Sequence, residues 1–183
     1  TAQTAIRAAM TGHLVLSTLH CNDAPSAVPR LLDMGVDPFL LSTSLIGVMS
    51  QRLVRKLCPE CRRQGAPTAE EVRLLNHYLG EGGVPLVWRT GGCAKCANTG
   101  IVGRMAVHEV MPITPEVGKK IAACASMDEL RDAASRYGYR TMQHDALDRV
   151  VSGTTSIDEA KRLIYFDTFT ASGEWGSSTA EAA

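Results

Sequence analysis

No run of apolar residues in this 183-residue sequence approaches the roughly 20 that a bilayer-spanning helix needs, and no basic stretch followed by an apolar one opens it. Direct membrane insertion is therefore not expected, and the sequence reads as intracellular. Net charge is missing as well, since 19 Lys and Arg balance 19 Asp and Glu. That balance excludes a global electrostatic footprint for nucleic acid or anionic lipid and leaves only local patches. No repeat of fixed period is visible. No G-x-x-x-x-G-K-S/T loop occurs, which argues against a complete nucleotide-hydrolysing site within these residues. Residue 1 is Thr rather than Met and leads straight into a helical pattern, so a piece of a longer protein is expected.

What is present is an ordinary globular composition, 45% hydrophobic and 21% charged, enough for one core and a small satellite. Ala5, Ile6, Ala9 and Met10 share a helical face over 1–10. The run His13–Leu19 then reads as a buried parallel strand, because Leu14, Val15, Leu16 and Leu19 are nearly continuous rather than alternating. A second helix is expected over 26–34. A third starts at Asp37-Pro38, with the carboxylate as cap, and is expected to run through Leu45, Val48 and Met49 toward Gln51.

Beyond Leu57 the composition turns to glycines and paired cysteines, broken by a helix near 68–78 with a Thr68/Glu71 capping box. A strand over about 104–111 is expected to rejoin the main body. Thr114-Pro115, Ser126 with Glu129, and Ser156 with Glu159 mark starts in a run of four short helices read as a bundle. The segment after Phe169 is small and polar and reads as disordered. The expected organisation is an α/β core part over 1–57, a zinc-binding subdomain over 58–103, a return strand with C-terminal helices over 104–169, and a tail over 170–183.

The most specific chemical signal is Cys58-Pro-Glu-Cys61 paired with Cys93-Ala-Lys-Cys96. Each knuckle places two thiolates on one ion, so the spacing suits a closed tetrahedral zinc site whose role is folding. Two disulfides or a redox pair are the other readings, disfavoured in an intracellular protein and by the doubling of the motif. Arg52, Arg55, Lys56, Arg62 and Arg63 surround the knuckle. They read as compensation for a site whose four thiolates outweigh a divalent cation, or as a nucleic-acid or phosphate contact. Arg52 and Arg55 stand apart as candidates because they leave the core helix rather than sit in the cysteine loop.

His13 and His20, seven residues apart, face opposite sides of an unbroken strand and do not share one metal. His20 has Thr18, Asn22 and Asp23 beside it at a strand exit, where open α/β sheets meet ligands. An ordinary core strand with a polar exit explains the same residues. Cys124 reads as core on an apolar helix face.

TAQTAIRAAMTGHLVLSTLHCNDAPSAVPRLLDMGVDPF is similar to the His-box region of secretion ATPases, namely the type II secretion ATPase (general secretion pathway protein E) and its type IV pilus assembly relatives. QRLVRKLCPEC with CAKCANTGIVGRMAVHE resembles their tetracysteine subdomain, and DELRDAASRYGYRTMQHDALDRVVSGTTSIDEAKR their C-terminal helices. The resemblance covers about 1–169. It implies the C-terminal half of a RecA-like ATPase domain with a tetracysteine zinc subdomain and a C-terminal helical bundle. The working protein would be a cytoplasmic homo-hexamer that binds ATP and Mg2+ and meets inner-membrane secretion or pilus platform proteins, with no nucleic acid. Carried onto this chain, His20 would sense the γ-phosphate, His13 would position the box, and Thr18, Arg52 and Arg55 would contact nucleotide. The cysteines Cys58, Cys61, Cys93 and Cys96 would take Zn2+. The family's phosphate loop would lie upstream, so the 183 residues alone should not hydrolyse ATP. Cys21, Ile101 and Ala146 stand where relatives usually carry Thr, an aromatic and Gly. The other reading is a non-enzymatic zinc ribbon that binds protein or nucleic acid.

Overall fold

The computed structural model describes residues 1–82 and 86–164, together with the backbone of 168–169 and 175–176. The elements run α1 (Ala2–Met10), α2 (Ala27–Asp33), α3 (Pro38–Ser44), β1 (Gly47–Leu57), β2 (Arg63–Gly65), α4 (Ala69–Leu79), β3 (Val87–Arg89), a 3-10 turn (Ala94–Cys96), β4 (Ile101–Pro112), α5 (Pro115–Ala122), α6 (Met127–Ser135), α7 (Met142–Val151), α8 (Ile157–Leu163), β5 (Thr168–Phe169) and β6 (Trp175–Gly176). No described helix is long and apolar enough to cross a membrane.

By packing the chain falls into two units, 1–51 with 108–142 and 52–107 with 143–183. These are not serial segments. The first holds α5 and α6 and the second α7 and α8, where the sequence groups all four helices together. The tail expected over 170–183 lies outside the described residues, except that Trp175–Gly176 pair with Thr168–Phe169.

In the first unit α1 packs on α3, α3 on α5, and α5 on α6. The core gathers Val28, Val36, Leu41, Met111, Val117, Ile121 and Leu130. Its helix starts are those the sequence marks. Asp37 accepts from Leu40 N–H at 3.0 Å with Pro38 in the first turn, Thr114 accepts from Val117 N–H, and Ser126 and Glu129 form a reciprocal capping box.

Three expectations fail in this unit. The third helix does not run to Gln51; it stops at Ser44, and β1 begins at Gly47. Ser42, Thr43 and Ser44 all turn their hydroxyls back onto the carbonyls of Phe39 and Leu40, a habit that weakens a helix. Leu45 is already extended, and Ile46 and Val48 favour a pleated neighbour. Nor is His13–Leu19 a strand. An apolar run becomes one only where other strands take up its N–H and C=O groups, and among the described residues none does. Leu14 and Leu16 are 76% and 87% exposed. Cys124 also departs from expectation, being exposed and left-handed just past α5 rather than in the core.

β1 and β4 pair as a two-stranded sheet. Ile113 N–H bonds to Ile46 O at one end and Cys58 N–H to Gly100 O at the other, so the strands run antiparallel. Along β4 the inward positions are Val107, Glu109 and Met111, at period two.

The second unit buries Val54, Leu57, Leu74, Leu75, Val87, Leu147, Val150 and Ile157. The antiparallel pair β2–β3 sits between the two cysteine knuckles in sequence. The Thr68/Glu71 capping box is formed, and Glu71 also takes both guanidinium nitrogens of Arg89 at 2.6 Å.

Candidate functional site

The four cysteines of the second unit converge. Cys58 closes the end of β1, Cys61 follows a tight turn, and the 3-10 turn brings Cys96 back beside Cys93. Their sulfurs all lie within 4.8 Å of one another. Cys58 to Cys93 and Cys61 to Cys96 are each 3.8 Å, and Cys93 to Cys96 is 3.7 Å. A tetrahedron with metal–sulfur bonds of about 2.3 Å has edges of about 3.8 Å. A disulfide would need about 2.05 Å, and all six cysteines are free. The donor set therefore fits one tetrahedral metal ion and no bridge.

The surrounding chain is shaped to this convergence. Gly100 is left-handed at φ +71, and a Cβ there would meet Gly91 O at 2.6 Å, so the two glycines admit an approach that no other residue would. Ala97 and Asn98 are also left-handed, turning the chain behind the second knuckle. Backbone N–H groups of Cys93 and Gly100 point at Cys96 Sγ, at 3.4 and 3.2 Å. Burial works against ionisation of Cys96, but these donors outweigh it and hold the thiol down at about 6. Cys61 is pushed up to about 12, by burial first and by the neighbouring sulfurs after it. Cys61 thus does not ionise readily beside these sulfurs without a cation among them. Lys95 and Glu60, one from each knuckle, form an exposed ion pair at 2.6 Å.

Arg62, next to the first knuckle, lies 4.2 Å over the ring of Trp88 and donates to Gly153 O. Arg55, named as a nucleotide contact, lies on β1 rather than on a helix, and its guanidinium is engaged by Glu159. Arg52, on the same strand, is exposed.

The histidine segment belongs to the first unit. His13, Thr18 and His20 are all exposed. His13 Nδ1 is 3.1 Å from Thr11 Oγ1, and among the described residues His20 has no hydrogen-bond partner. Asp23 does not serve His20. It accepts from Ser26 N–H at 3.0 Å and from Arg131 Nη2 at 2.6 Å. Burial would raise the Asp23 carboxyl, but the bonds from Ser26 and Arg131 prevail and hold it below its usual range.

Glu109 and Arg131 were not among the expected site residues. Glu109, 3% exposed, accepts from the N–H of Ala24 with Oε1 and from Met142 N–H at 3.0 Å with Oε2. Burial raises its carboxyl above the usual range, against those two donors. A carboxylate between Val107 and Met111 on the inward side of a strand is the signal in the sequence. Arg131 carries none, being one of several charges on the polar side of α6.

A family model described as "Type II/IV secretion system protein" matches residues 1–162. The chain is 44% identical over 163 residues to the Type II secretion system protein HxcR of Pseudomonas aeruginosa, covering 89% of this chain and 31% of that protein. It is 42% identical over 159 residues to the Type IV pilus assembly ATPase PilB of Thermus thermophilus, covering 87% of this chain and 18% of the relative. To the Type II secretion system ATPase E of Vibrio cholerae it is 41% identical over 164 residues, covering 89% and 32%. The chain thus spans a third or less of the length of these relatives.

Proposed function

The chain belongs to the type II/IV secretion system protein family, and on that footing we propose that it is the C-terminal portion of a cytoplasmic ATPase that powers type II secretion or type IV pilus assembly. The observation that carries the reading is the family match over 1–162, with relatives named as ATPases of both systems. The absence of a phosphate loop from these 183 residues supports a division of labour: nucleotide is cradled by other parts of the full-length protein, and this portion alone does not hydrolyse ATP. The core portion is taken as the C-terminal part of a RecA-like domain.

In this reading Thr11 to His20 lies on the γ-phosphate side of the nucleotide, with His20 sensing the phosphate and His13 positioning the segment. Their exposure is consistent with a face completed by other residues. Thr18, Arg52 and Arg55 are assigned to the nucleotide side, Arg55 in addition to its bond with Glu159. ATP and Mg2+ serve the full-length protein, which works as a homo-hexamer held at the inner membrane by platform proteins. The metal at Cys58, Cys61, Cys93 and Cys96 is zinc; a closed four-thiolate set leaves no open position, so zinc supplies folding rather than chemistry.

The test is ATP turnover by the full-length protein with Mg2+, together with its mass in solution. Turnover and a six-subunit assembly are expected. A full-length protein that neither binds nor hydrolyses ATP would sink the motor reading.

A further inference from the structure

Residues 14–22 make no backbone hydrogen bonds among the described residues. Their placement is therefore set at their two ends. At the first end His13 N–H bonds back to Ala8 O at 3.2 Å. At the second end Asp23 is closed locally on Ser26, and side chains of distant elements add further directional constraints. Glu109 on β4 takes the N–H of Ala24, and Arg131 on α6 takes the carboxylate of Asp23.

Glu109 is an uneconomical choice for packing alone. It is 3% exposed in the unit whose apolar core holds Met111 on the same strand, and a methionine of similar volume would be buried there without desolvating a charge. Both of its oxygens are used on backbone N–H groups, Ala24 on one side and Met142 on the other. A carboxylate so bound fixes position and direction, which an apolar contact does not.

We propose that Glu109, seconded by the Asp23–Arg131 pair, is the positioning residue for His20. By fixing the backbone at Ala24, four residues past His20, it sets where the histidine segment ends. The proposal rests on the reading of His20 as a nucleotide-site residue. Glu109 itself touches neither nucleotide nor metal.

The experiment uses the full-length protein with Glu109→Met, Glu109→Gln and Asp23→Asn, and reads ATP turnover, the KM for ATP, and hydrogen exchange over residues 13–26. Parent turnover tests the motor reading, and the ratio of variant to parent tests this one. Glu109→Met is expected to lower kcat on the order of 10- to 100-fold with KM within about two-fold, since small misplacements are expensive in rate. Exchange at 23–26 should quicken. Glu109→Gln, which keeps one acceptor, should recover part of kcat, and Asp23→Asn should fall between parent and Glu109→Met. If Glu109→Met does not fold, Glu109→Gln and Asp23→Asn carry the decision. Parent-like kcat in both would overturn the proposal, as would lost kcat with exchange over 13–26 unchanged.

Discussion

Arg55 and Glu159 are joined at three points: Arg55 Nε and Nη2 donate to Glu159 Oε2 at 2.9 and 2.7 Å, and the Arg55 backbone N–H donates to Oε1 at 3.1 Å. Arg162 adds a bond to each oxygen. The carboxylate is 2% exposed and ties β1 to the first turn of α8.

Burial pushes the Glu159 carboxyl up, but Arg55 and Arg162 overcome it and hold it at about 2. Because the folded value lies below the unfolded one, the stabilisation is complete above the ordinary glutamate range and is lost as pH falls toward about 2. It amounts to about 2–3 kcal/mol near neutrality. Urea unfolding from pH 7 to pH 3 should show falling stability, and Glu159→Gln should be less stable at pH 7 and flatter with pH. Equal slopes for the two proteins would contradict the assignment.

Gly153 is left-handed at φ +72, and a Cβ there would stand 2.5 Å from Trp88 Cδ1. Gly153→Ala should destabilise the second unit by about 2–4 kcal/mol, from backbone strain and overpacking together. Trp88 fluorescence during denaturation reports it directly, and an unshifted midpoint would count against the contact.

One equivalent of zinc is expected by elemental analysis, with four thiols becoming reactive on chelation. Cys58→Ser or Cys96→Ser should remove the metal and unfold the second unit, since such sites contribute on the order of 10 kcal/mol. A metal-free protein holding two disulfides would overturn it.

In the full-length protein His20→Ala should lower ATP turnover roughly ten-fold or more, as for loss of a positioned polar group. Turnover equal to the parent's would take His20 out of the site.

The parts of this chain legible in its sequence are those whose cause is local. Asp37, Thr68 and Ser126 cap helices through partners three residues away, and the cysteine quartet announces itself by spacing. β1 was not legible, because its pairing depends on β4, as the bond between Ile46 and Ile113 illustrates. The run Leu14 to Leu19 has a strand's composition without strand partners among the described residues, and composition alone does not supply them. Glu109 escaped for a similar reason, since its partners are backbone groups 85 and 33 residues distant.

The bond from Cys58 N–H to Gly100 O, 2.8 Å long, closes the whole cysteine-bearing stretch at its neck. Whatever entropy is lost in bringing these two points together is shared between strand pairing and metal capture, since either event brings the ends close for the other. The two steps therefore reinforce each other: a formed hairpin presents one knuckle near the other, and a loaded site holds the hairpin's open end shut. Changes of length at Gly80 to Gly82, exposed residues past the end of α4, fall inside that closed ring and leave its neck, the buried Leu74 and Leu75 and the Glu71–Arg89 pair unaltered, so this is where the chain can accept insertions while the ladder and the sulfur tetrahedron keep their geometry.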